Sequence, residues 1–156
     1  MLNIKHITKE GEGLEIIRHL FREYETELDE NICFQSFDEE LNDPLKKYGS
    51  PAGDLLLAYW NHEVAGCIAL TAMKIEGVCE MKRLYVKPAF RKNKIGKSLV
   101  EELIVSAREK KYLQMRLDTF SKLQPAIVLY EKFGFKNISP YYNNPLEGVV
   151  YMQKTL

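Results

Sequence analysis

A chain of 156 residues, 46% apolar and 28% charged, can bury one core and is too apolar to be disordered by default. No apolar run approaches the roughly 20 residues that span a bilayer, and the start M-L-N-I-K-H-I-T-K-E lacks a signal peptide's apolar centre. A cytoplasmic protein with no membrane partner is expected. A formal net charge of zero also argues against a nucleic-acid partner, which needs a basic domain with stacking aromatics.

Taken in order, Leu2 to Ile7 alternates apolar and polar as a first strand. Leu14, Ile17, Leu20, Phe21, Tyr24 and Leu28 then give a helical stripe. A shorter helix is predicted over Phe37 to Tyr48, interrupted by Pro44 and ended by Gly49-Ser50-Pro51. Asp54 to Trp60 and Glu63 to Lys74 read as a hairpin turned at Asn61-His62, and Glu76-Gly77 leads into a strand over Glu80 to Val86. In that strand Leu84 and Val86 alternate with Met81 and Tyr85, and Pro88 stops it. Ile95, Leu99, Val100, Leu103, Ile104 and Ala107 mark an amphipathic helix. Then come a strand from Tyr112 to Thr119, a helix from Leu123 to Phe133 stopped by Gly134, and a last pair of strands near Lys136 to Ser139 and Val149 to Lys154. This is an α/β chain, α+β in its mixed sheet of about seven strands flanked by helices. It is read as one domain over 1–156, without linker or repeat. The sequence leaves open whether two copies pair through the last strands.

Between the strand ending at Val86 and the helix from Ile95 lies a basic loop with Arg91, Lys92, Asn93 and Lys94. A helix N-terminus offers unpaired N–H groups and the positive end of a dipole, so this junction suits an anion such as a phosphate. Gly96-Lys97-Ser98 imitates the end of a nucleotide-hydrolase P-loop. That pattern needs glycine at position 91, where Arg91 stands, so the P-loop is set aside. Charge is unevenly spread. Twelve acids face three bases from Lys9 to Asp43, and ten bases face three acids from Lys82 to Lys111, a polarity suited to an anionic cofactor on one side and a cationic substrate on the other. Cys33, Cys67 and Cys79 lack paired metal spacing and read as reduced structural thiols, with no metal expected.

Arg91-Lys92-Asn93-Lys94-Ile95-Gly96 resembles the R/Q-x-x-G-x-G/A pyrophosphate loop of the GNAT N-acetyltransferases. Ala126 to Phe135, A-I-V-L-Y-E-K-F-G-F, resembles that family's second signature. The resemblance runs from about Asp54 to the C-terminus. It implies the GNAT fold and acetyl-CoA as cosubstrate, with the pantetheine arm paired to backbone at Leu84, Tyr85 and Val86. The pyrophosphate would lie on the amides of Lys92, Asn93, Lys94, Ile95, Gly96 and Lys97, beside Ser98, with Arg91 and Lys92 side chains on the phosphates. Lys94 stands where the family has its first glycine. If positive φ is needed there, a lysine is strained by about 1 to 2 kcal/mol; if not, it adds a charge toward the phosphates.

Tyr130 occupies the signature position where the family keeps a tyrosine to protonate the departing thiolate, and a phenol has the acidity for that task. Its plain alternative is core packing beside Ala126, Leu129 and Phe133. Glu80, four residues before Leu84, stands where the histone-acetylating branch keeps a general base; its alternative is a strand-edge carboxylate paired with Lys82 or Arg83. Asp118 and Thr119 end a strand on the ligand side of a parallel pair. Tyr141, Tyr142, Asn143 and Asn144 would overhang the substrate groove, as would Phe34, Gln35 and Glu39. His6, His19 and His62 have no triad spacing. The expected function is acetyl transfer from acetyl-CoA to a primary amine of a small molecule or peptide, by direct attack in a ternary complex. The alternatives are a larger acyl group, controlled near Leu70 and Val86, and a non-catalytic acyl-CoA-binding module.

Overall fold

The computed structural model describes residues 1–32 and 36–156. Strand β1 (Leu2–His6) is followed by α1 (Glu12–Leu28), α2 (Phe37–Asn42) and α3 (Pro44–Tyr48), then by β2 (Asp54–Trp60), β3 (Glu63–Ala72) and β4 (Val78–Val86). A short 3₁₀ turn at Pro88–Phe90 leads to α4 (Ile95–Glu109), and β5 (Gln114–Phe120), α5 (Gln124–Lys132), β6 (Lys136–Ile138) and β7 (Val149–Thr155) complete the chain. The expected helix over Phe37 to Tyr48 is two helices, because Pro44 has no N–H to continue the first and starts the second. Asn61 and His62 both take positive φ, 48° and 71°, as a tight hairpin turn requires.

The strands form one sheet in the order β1-β2-β3-β4-β5-β7-β6. Only β4 and β5 run parallel; every other neighbouring pair is antiparallel. Period-2 alternation splits the core between the two faces. Leu55 and Leu57 of β2 pack with Leu14, Ile17 and Phe21 of α1, while Leu56 and Ala58 pack with Leu99, Val100 and Leu103 of α4. Burying Leu99 or Leu103, each fully enclosed, contributes about 1.5 to 3 kcal/mol by removing apolar surface from water.

Alternation fails in β3, where Ala65 is the extra residue opposite Ala58 and Tyr59, and again in the next strand. In β4, Met81 packs on the same face as Leu84 and Val86, whereas Tyr85 faces α1; the sequence pattern had put Met81 with Tyr85. The β3–β4 register explains this: Ala69 faces Lys82 and Cys67 faces Tyr85, so Arg83 and Leu84 together stand opposite Ile68. This is a β-bulge, and Arg83 takes φ 58° in it.

Candidate active site

The parallel ladder between β4 and β5 is short. It joins Val78, Cys79 and Glu80 to Gln114, Met115 and Arg116, although β4 runs on to Val86 and β5 to Phe120. β5 remains paired along its whole length with β7, and the end of β4 remains paired with β3 through Gly66 opposite Val86. Gly66 is required there, because a Cβ would lie 2.4 Å from the Tyr85 carbonyl oxygen. Past Glu80 the two strands therefore splay, leaving the backbone edge of β4 at Leu84, Tyr85 and Val86 without a partner strand. The cleft between them is lined by Tyr24, Lys82, Leu84, Asp118, Thr119 and Tyr130, among others.

The start of α4 lies near the end of β4, where a Cβ on Gly96 would meet Val86 at 3.8 Å. The first intrahelical bond closes from Ser98 N–H to the Lys94 carbonyl, so the N–H groups of Ile95, Gly96 and Lys97 have no acceptor within the helix. No side chain caps this end and no acid occupies its first turn, while Lys92, Lys94 and Lys97 are exposed around it. Lys94 has φ 59° and ψ 24°. Positive φ is thus needed at this position, and a lysine holds a conformation that costs a non-glycine residue about 1 to 2 kcal/mol. Asn93 donates from Nδ2 to the Phe90 carbonyl at 3.0 Å, which ties the loop's tip to its start. The Arg91 guanidinium is folded back from the loop. Its Nε donates to the Val86 carbonyl at 2.9 Å and its Nη2 to Glu27 of α1 at 2.6 Å.

The opposite wall carries the titratable groups. Glu80 and Asp118 are 12% and 10% exposed, and the Lys82 ammonium stands 4.0 Å from Glu80 and 3.5 Å from Asp118. The Tyr141 hydroxyl donates to Glu80 at 2.7 Å, the Tyr142 hydroxyl to Asp118, and Asn144 Nδ2 to the Tyr142 oxygen at 2.8 Å. Burial, and then the adjacent carboxylate, push both phenols well above their ordinary range, so they remain donors across neutral pH. Tyr130 is buried against Phe135 in an edge-on ring contact 5.9 Å between centroids. Burial raises its phenol as well, which keeps the O–H protonated where it borders the cleft.

The loop 140–144 reaches the cleft because Tyr141 and Tyr142 pack on Tyr151 of β7 with centroids 5.2 and 5.6 Å away. Thr119 is buried in the cleft wall, whereas Glu39 is exposed on α2 and is not among the residues lining the cleft. Phe34 and Gln35 lie outside the described residues. The acid of α2 that does turn inward is Glu40, which accepts from Arg83 Nε at 3.0 Å and Nη2 at 2.8 Å and sits 3.2 Å from Lys47. Of the two bases offered as partners for Glu80, Lys82 is beside it and Arg83 is committed to Glu40. Two adjacent bases inside an apolar strand do signal that buried carboxylates must meet them, but nothing in one sequence says which. His6 lies 2.9 Å from Asp54, and Ser106 donates to the same carboxylate at 2.5 Å. The serine faces the aspartate and not the imidazole, so this trio is structural and no nucleophile–base pair. Cys67 and Cys79 are buried and free, with burial pushing the Cys79 thiol up to about 12. No group of metal ligands occurs among the described residues, nor is any helix there long and apolar enough to cross a membrane.

Residues 14–135 match the model of the acetyltransferase (GNAT) family. The chain belongs to this family. Across 143 residues it is 44% identical to an uncharacterised N-acetyltransferase of Schizosaccharomyces pombe, covering 91% of this chain and 88% of the relative. Among solved structures, an acetyltransferase from Streptococcus agalactiae superposes with a TM-score of 0.78 at 25% identity, over 99% of this chain and 98% of that one. A GNAT family acetyltransferase from Elizabethkingia anophelis with acetyl-CoA bound superposes at 0.70 with 22% identity, over 99% of this chain and 98% of that one. The seven-stranded mixed sheet flanked by helices is the GNAT fold, and membership supports an acyltransferase activity.

Proposed function

We propose that this GNAT protein moves an acetyl group from acetyl-CoA to a primary amine by direct attack within a ternary complex. The observation that carries the proposal is the short β4–β5 ladder. Read as one path, the opening runs from the uncapped start of α4, which packs near Val86, along the β4 edge at Leu84 to Tyr130 and Asp118 in the cleft, with Glu80 beside the shared Lys82. A phosphate-bearing thioester fits that path: the amides of Ile95, Gly96 and Lys97 with the surrounding lysines take the pyrophosphate, and the open edge of β4 pairs with the amide-containing arm. The acetyl-CoA bound to the Elizabethkingia relative is consistent with that cosubstrate.

The amine nitrogen attacks the thioester carbonyl, the new C–N bond forms and the C–S bond breaks. Glu80 takes the proton the amine must lose, directly or through a water, and Tyr130 gives its phenolic proton to the departing thiolate. Tyr141, donating to Glu80 at 2.7 Å, orients that carboxylate. Holding both reactants in one cleft supplies the entropic part of the rate. The test is release of free thiol from acetyl-CoA across a panel of primary amines, with the N-acetyl product identified by mass. Amine-dependent release matched by product is expected. Tight CoA binding with no product on any amine would instead make this a non-catalytic acyl-CoA-binding module.

A further inference from the structure

The acidic front of the chain does not deliver an acidic acceptor pocket. Its carboxylates nearest the cleft are paired with bases: Glu23 with Lys87 at 3.5 Å, Glu27 with Arg91 at 2.6 Å, Glu30 with Lys122 at 3.1 Å, and Glu40 with Arg83 at 2.8 Å. Inside the cleft the carboxylates are also paired with a base. Glu80 and Asp118 share the Lys82 ammonium, whose side chain is only 6% exposed. Three carboxylates (Glu40, Glu80 and Asp118) are thus matched by three cations (Lys47, Lys82 and Arg83) along one wall.

Resting on the acetyl-transfer reading of this cleft, we propose that Lys82 sets the acceptor class: amines whose remainder is neutral or carries a carboxylate, to the exclusion of polyamines and other acceptors with a second cationic group. The reacting amine must come to Glu80. A second ammonium a few atoms away then meets Lys82 in a partly desolvated cleft, where like charges repel strongly and Glu80 and Asp118 are already engaged with the Lys82 ammonium. Pushing Lys82 aside would leave a buried ammonium without its partners. A carboxylate on the acceptor finds attraction at the same point. Lys82 acts here by exclusion as much as by attraction, which is how discrimination between similar ligands is commonly built.

A purely structural role for Lys82, neutralising Glu80 and Asp118 so that the sheet folds, would alter stability on substitution and leave the ranking of acceptors alone. The experiment compares kcat/KM for thiol release with three acceptors of similar length: butylamine, putrescine and γ-aminobutyrate. In the unaltered protein, butylamine and γ-aminobutyrate should exceed putrescine by about tenfold or more, the scale of a like-charge contact. In Lys82→Met, which keeps the packing stem and removes the charge, putrescine should rise to at least the level of butylamine, and γ-aminobutyrate should fall relative to it. Putrescine ranking equal or first in the unaltered protein overturns the proposal, and this arm needs no variant to fold. An unchanged ranking in an active Lys82→Met protein also overturns it. Thiol release from no amine at all removes the acetyl-transfer reading itself and the acceptor class with it, whereas release in the reverse order contradicts only the role of Lys82.

Discussion

Arg83 and Arg91 stand at the two ends of the same stretch, one in the β4 bulge and one in the loop beyond it, and each is paired with a carboxylate from the front helices. Arg83 and its partner Glu40 are 3% and 2% exposed, held by two hydrogen bonds and stacked against Phe37 at 5.3 Å. Arg91 and Glu27 are 45% and 41% exposed and share one short contact. Water can replace either partner of the second pair and cannot reach the first. The buried pair is therefore architecture, holding a non-glycine residue at positive φ in the cleft wall, and the exposed pair is open to exchange with solvent. Basic residues at positive φ in this stretch differ in the same way: Arg83 is fixed by Glu40, while Lys92 and Lys94 lie exposed in the loop before α4.

The largest effect on stability is expected from breaking the buried pair on one side. Arg83→Met leaves Glu40 buried with Lys47 as its remaining cation, and loss of one partner of a buried pair typically costs about 3 to 5 kcal/mol. Thermal unfolding should show a large fall in Tm, partly restored when Glu40 is also replaced by a residue of similar volume without charge. The pH dependence carries a sign. Burial would raise the Glu40 carboxyl, but the Arg83 charge and hydrogen bonds hold it below the ordinary 4.5. Its contribution is thus present above the unfolded pKa and lost as pH falls through the lower folded value. Acid unfolding of Glu40→Gln should show a shallower dependence in that window; an unchanged slope would place the acid sensitivity elsewhere.

Next in size is Gly96→Asp. A Cβ at Gly96 would meet only Leu129 and Val86 side chains at ordinary contact distances of 3.7 and 3.8 Å, and an acid in a helix's first turn favours the helix. The fold should persist while CoA affinity, measured by calorimetric titration, falls by about tenfold or more through repulsion and blocked amides. Unchanged affinity would move the pyrophosphate off this loop.

Much of this was legible from the residues. The strand–basic loop–helix junction and the second signature around Tyr130 each announce themselves locally, through period, punctuation and charge. The β4 bulge does not, because Lys82 and Arg83 look like one more alternation in a strand; only the packing of Met81 with Leu84 reveals the slip. Glu40 could not be picked from the run Asp38-Glu39-Glu40, since which acid turns inward depends on how α2 is rolled against a strand more than forty residues away. The candidate Glu39 is the exposed neighbour for that reason.

Smaller effects separate exchange from architecture. Glu27→Gln should change stability by about 0.5 kcal/mol or less, as exposed pairs do, yet strengthen CoA binding a few-fold, because the carboxylate no longer competes for Arg91. Weaker binding in that variant would mean that Glu27 holds Arg91 in its working position. Lys94→Gly should relieve the left-handed strain and raise stability by about 0.5 to 1 kcal/mol after the entropy of the unfolded glycine is allowed for. A fall in Tm would show that the Lys94 side chain contributes more than its backbone costs.

The central claim is that the splayed cleft performs chemistry and does not merely bind a thioester, and Tyr130→Phe tests it most directly. The substitution removes one hydroxyl and keeps the ring against Phe135. Turnover on an amine accepted by the unaltered protein and CoA affinity by calorimetry should be measured side by side, at neutral and mildly alkaline pH. The expected result is a loss of about 10² to 10⁴ in kcat with affinity and Tm nearly unchanged, since the proton is needed only as the thiolate departs. Turnover at the parent rate across that pH range would contradict the account and return Tyr130 to the core.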